Sequence, residues 1–80
     1  MASKTIYDSN VIVELGNAYG FARKYSPCAD HIEAAAASVS VGASRYDVIE
    51  DIVIALKQST NEKVIYSLSQ AVAWIGPMAE

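Results

Sequence analysis

An all-α domain, a compact four-helix bundle with short connections, is the fold this chain predicts. Three observations carry it. Apolar residues recur three and four positions apart in four separate stretches, the spacing of one buried side of a helix. Turn and cap residues stand between the stretches, at Asp8-Ser9-Asn10, Ser26-Pro27, Gly42 with Ser44, Ser59-Thr60-Asn61 and Gly76-Pro77. The connections they leave are short, as antiparallel neighbours in a bundle require. Eighty residues make one domain, with residues 1–7 expected as a loosely packed arm.

The first helix is expected from about Asp8 to Tyr25. Asp8, Ser9 or Asn10 can cap it, and Arg23 and Lys24 suit the negative end of its dipole. At about 100° per residue, Val11, Ile12, Leu15, Ala18, Tyr19 and Ala22 share one side, with Phe21 and Tyr25 at the border. Gly16 and Gly20 each destabilise a helix interior by about 1 kcal/mol. Close approach of another backbone is the expected compensation.

A second helix starts at Ser26-Pro27, since proline behind a serine cap is a strong start signal. Cys28, Ile32, Ala35, Ala36 and Val39 align on it, mostly small groups that admit a close neighbour, and Gly42 stops it. The third helix, about Ser44 to Gln58, opens as a capping box in which Ser44 precedes Asp47 by three. Val48, Ile49, Ile52, Val53, Ala55 and Leu56 form its core arc. The β-branched content would suit a strand, but the spacing and the cap favour helix. The fourth helix begins after a similar signal, Ser59 three residues before Glu62, and runs to about Ile75. Val64, Ile65, Leu68, Ala71, Val72 and Ile75 make its stripe. No convincing internal repeat is visible.

Composition narrows the function. Hydrophobic residues make up 52% of the chain and charged residues 19%, an apolar balance for a chain too short to bury a large fraction of its surface. One cysteine excludes an internal disulfide framework. Assembly is therefore the expected source of added stability, with a homodimer favoured. The net charge of −3 and the scattered lysines and arginines argue against direct nucleic-acid binding. No apolar run approaches the ~20 residues of a membrane span. A polar start without an apolar signal segment, together with a free cysteine, points to the cytoplasm.

Few residues could carry chemistry. Cys28 and His31 are three apart, a spacing open to two metal ligands or to a thiol with its base, and an activity built on them is an alternative reading. His31 is the only histidine, however, and a packed cysteine beside a surface histidine explains the pair equally. No cofactor or metal is expected. Glu50 and Asp51 are adjacent, so they diverge around the helix and form no acid/base pair.

Two surfaces suggest contact with protein. Asp47, Glu50 and Asp51 ring Ile54, an apolar centre with an acidic rim suited to a basic groove on another protein. Tyr66, Gln70 and Trp74 are spaced by four, beside the core stripe of the fourth helix, where a second subunit could pack. The competing cover for that stripe is the arm carrying Ile6 and Tyr7. The chain thus reads as a non-catalytic, self-associating interaction module. A small acidic inhibitor or immunity-type protein that occludes a basic surface is the nearest alternative.

Overall fold

Four helices of equal length appear in the computed structural model, which describes residues 4–22 and 26–76: α1 (Ser9–Ala22), α2 (Pro27–Ser40), α3 (Arg45–Gln58) and α4 (Glu62–Ile75). The expected roles of Arg23, Lys24, Tyr25 and Pro77 fall outside the described residues. The helices form an antiparallel ring in which α1 packs on α2 and α4, and α3 on α2 and α4. The all-α, four-helix bundle-like fold is as expected. The α1–α4 and α2–α3 pairs are close, while the α3–α4 seam is the most sparsely packed.

Local chemistry sets the ends. The Asp8 carboxylate accepts from the Asn10 backbone N–H at 2.8 Å and so caps α1. At α2, Ser26 caps no N–H with its side chain; its hydroxyl donates back to the Ala22 carbonyl. Ser44 Oγ accepts from Asp47 N at 3.3 Å, as the capping box requires. For α4 the cap is Asn61 rather than Ser59. Asn61 Oδ1 accepts from Lys63 N at 2.8 Å and Val64 N at 3.4 Å, while Ser59 Oγ holds Asn61 N at 3.2 Å.

Gly42 ends α2 in a Schellman turn: its N–H donates to Val39 O, and Ala43 N–H reaches back to Ser38 O at 2.9 Å. The turn requires the left-handed φ of +72° found at Gly42. Against this turn lies the N-terminal arm. Thr5 N donates to Gly42 O at 2.9 Å, and the Tyr7 hydroxyl donates to Ala43 O at 2.6 Å. Ile6 points to solvent at 92% exposure, whereas Tyr7 packs on the core. The described part of the arm therefore belongs to the α2–α3 turn.

All four helices bury the same pattern. Val11, Leu15, Ala18 and Ala22 line α1, and Cys28, Ile32, Ala35 and Val39 line α2. Val48, Ile52 and Ala55 line α3, and Val64, Leu68, Ala71 and Ile75 line α4. Each helix has a large aliphatic residue followed three positions later by alanine. The large residues and the alanines are all almost fully enclosed, so the helices meet through a narrow core. All of these residues share one cluster.

The phase of the helices departs from expectation at the margins. Ile12, Val53 and Ile65, expected in the core, are 41%, 38% and 38% exposed. They flank the buried stripe at the looser seams. Gly16 and Gly20 are also corrected: both are exposed, and a Cβ added at either would meet nothing within 4 Å. Among the described residues no backbone of another element approaches them. Gly16→Ala and Gly20→Ala are each expected to raise the unfolding free energy by about 0.5–1 kcal/mol, the gain in helix propensity. Urea titrations followed by circular dichroism measure this; a loss of stability would mean that these positions are covered in solution.

Candidate interaction surfaces

The acidic cluster expected on α3 is divided by the fold. Asp47 and Glu50 are exposed, but Asp51 and Ile54 are half-buried. Asp51 points toward α2, where its Oδ1 lies 3.7 Å from His31 Nδ1, an ionic contact when the imidazole is protonated. Ile54 is half-buried rather than fully exposed, with Asp47 and Glu50 exposed on the same helix. Glu50 instead shares an outer stripe with Tyr46, Val53 and Lys57.

His31 is directed at α3 while Cys28 is buried in the core, so the two do not converge. Among the described residues no group of three or more His, Cys, Asp or Glu is placed to hold a metal ion. No described helix is long and apolar enough to cross a membrane. Near the α2–α3 turn, partial burial raises the pKa of the Tyr7 phenol, against the opposing effects of the Thr5 hydrogen bond and the Arg45 charge.

Tyr66, Gln70 and Trp74 stand on the side of α4 that borders α1. Tyr66 is 66% and Trp74 45% exposed, while Gln70 is half-buried. From α1, Phe21 joins them at 41% exposure, and the Lys63 ammonium lies 5.5 Å from its ring centroid, a cation–π contact. A shallow cleft between the two helices is lined by Glu14, Asn17, Phe21, Lys63, Tyr66 and Ser67. Phe21, placed only at the border by its spacing, is the residue that sequence reasoning left out of this surface. Its link to Tyr66 depends on α1 lying against α4, which local periodicity does not encode.

Two further apolar strips follow the looser seams. Between α1 and α2, Ile12, Gly16, Tyr19 and Ala36 border a small cleft over Leu15 and Ile32, with Glu33 at its edge. Along α3–α4, half-buried Ile49, Leu56 and Val72 pack on the core, and Val53 and Ile65 reach solvent. Comparison with protein-family models, curated proteins and solved structures finds no match to this chain.

Proposed function

We propose that this chain is a non-catalytic protein–protein interaction module that associates with itself through the Tyr66–Gln70–Trp74 stripe of α4. One observation carries the reading: Phe21 and Tyr66 line one cleft between α1 and α4, and Trp74, two turns beyond Tyr66 on α4, is exposed as well. Aromatic groups of this kind are concentrated at interface centres, where they add large apolar area at low side-chain entropy. A dimer is the simplest closed assembly for such a stripe. Exposed Asp47, with half-buried Asp51 and Ile54 on the same helix, suits a second protein with a basic surface, and the cytoplasm is the proposed compartment.

Light scattering coupled to size-exclusion chromatography tests the reading. The wild-type mass is expected to rise with concentration. Tyr66→Ala combined with Trp74→Ala is expected to lower that mass and flatten its rise with concentration while the helical circular dichroism persists, because both side chains lie outside the buried cluster. An unchanged assembly in that variant would place the contact elsewhere.

A further inference from the structure

The outer stripe of α3 differs in kind from the aromatic face. Glu50, Val53 and Lys57 follow one another at spacings of three and four, and all three are exposed. They sit on the opposite side of the bundle seam from Asp51, which is turned toward α2. Glu50 and Lys57 are seven residues apart, about 10.5 Å along the axis, with the apolar residue between them. Val53 borders the sparsely packed α3–α4 seam, where Ile65 also reaches solvent and Ile49, Leu56 and Val72 are only half-covered.

We infer that this stripe is a self-complementary docking surface for a second copy of the chain, with the two α3 helices antiparallel about a two-fold axis beside Val53. The order of the charges selects the occupant and its direction. Two copies side by side in parallel set Glu50 against Glu50 and Lys57 against Lys57, which is repulsive. Reversing one copy sets Glu50 opposite the partner's Lys57 and Lys57 opposite the partner's Glu50, so one pattern supplies two ion pairs. Val53 then meets its own copy at the axis, and Ile65 of each chain extends the apolar strip sideways. The contact brings cover to the seam that the monomer packs least. It goes beyond the aromatic reading, uses a different face of α4, and stands or falls separately from it.

A charge exchange in the full-length chain decides the matter. Sedimentation velocity is run over a range of concentrations on Glu50→Lys, Lys57→Glu and the double variant, each also carrying Tyr66→Ala and Trp74→Ala so that the aromatic stripe contributes nothing. Each single reversal is expected to weaken self-association by about tenfold, since two modest attractions become two repulsions. The double variant restores opposite charges across the axis and is expected to recover the parent affinity. A partner of another kind would not be rescued in this way. Failure of the double variant to recover, or single variants that associate like the parent, would overturn the inference and leave the aromatic reading untouched.

A covalent probe gives a second readout. In a Cys28→Ala background, Val53→Cys is expected to form a disulfide-linked dimer under mild oxidation, visible by non-reducing electrophoresis. A chain that stays monomeric there, with its helical spectrum intact, also overturns the antiparallel geometry.

Discussion

Ile52→Ala or Leu68→Ala is expected to lower the unfolding free energy by about 2–5 kcal/mol, the usual range for emptying a large buried aliphatic site. Both residues are fully enclosed. A small domain has only about 5–15 kcal/mol of stability, so either change brings this chain close to unfolding. The reverse error has its own penalty: Ala71→Leu is expected to destabilise by about 1–3 kcal/mol, because it adds methylenes at a fully buried position. Urea titration followed at 222 nm compares all three variants; losses below about 1 kcal/mol for the large-to-small changes would contradict the enclosure of these positions.

Gly42→Ala is expected to produce the second large effect, of about 2–3 kcal/mol, from two causes that act together. The left-handed φ of +72° is unfavourable for any residue with a Cβ. That Cβ would also lie 2.7 Å from Lys4 Cβ and 3.2 Å from the Thr5 carbonyl oxygen. Backbone and the root of a side chain yield less readily than a flexible tip, so the arm must move away. Gly76→Ala separates the two causes. Its φ of +88° with ψ of −175° lies in a region almost confined to glycine, but among the described residues nothing lies within 4 Å of the added carbon. Gly76→Ala should therefore destabilise by the conformational term alone, about 1–3 kcal/mol. Amide exchange at Thr5 should accelerate only in Gly42→Ala, because only that change breaks the bond from Thr5 N to Gly42 O. Equal exchange in the two variants would show that the arm does not depend on this turn.

Much of the fold was legible because its signals are local. Ser44, Gly42 and the spacing of Val48, Ile52 and Ala55 mark a helix despite the β-branched run, and each of those residues has the expected place. What remained illegible depends on neighbours. A helical wheel resolves a buried side only to within about one residue step, so Ile12, Val53 and Ile65 were placed in the core although they border open seams. Ile54 lies opposite the core arc on a wheel, which cannot show the partial cover it has in the bundle. The His31–Asp51 contact joins two helices and leaves no trace in either one alone. Gly16 and Gly20 suggested a close neighbour, but their spacing says nothing about whether one is present. The shared large-then-alanine pattern lay in plain view; it becomes recognisable only after the buried positions are known, since alanines also fill the exposed side of α2 at 34 and 37.

The close pairing of α1 with α4 has a bearing on how the chain is made. Synthesis runs from the N-terminus, so α1 emerges well before its principal neighbour exists. Until α4 follows, Leu15 and Ala18 lean on α2 alone, and the Leu15 side that α4 will cover stays wet. The bundle closes only when its first and last helices meet, a contact of long sequence separation in a class of fold usually dominated by local ones. A ribosome-stalled chain ending near Thr60 should therefore be an incomplete ring with an adhesive flank, and a natural client for a chaperone.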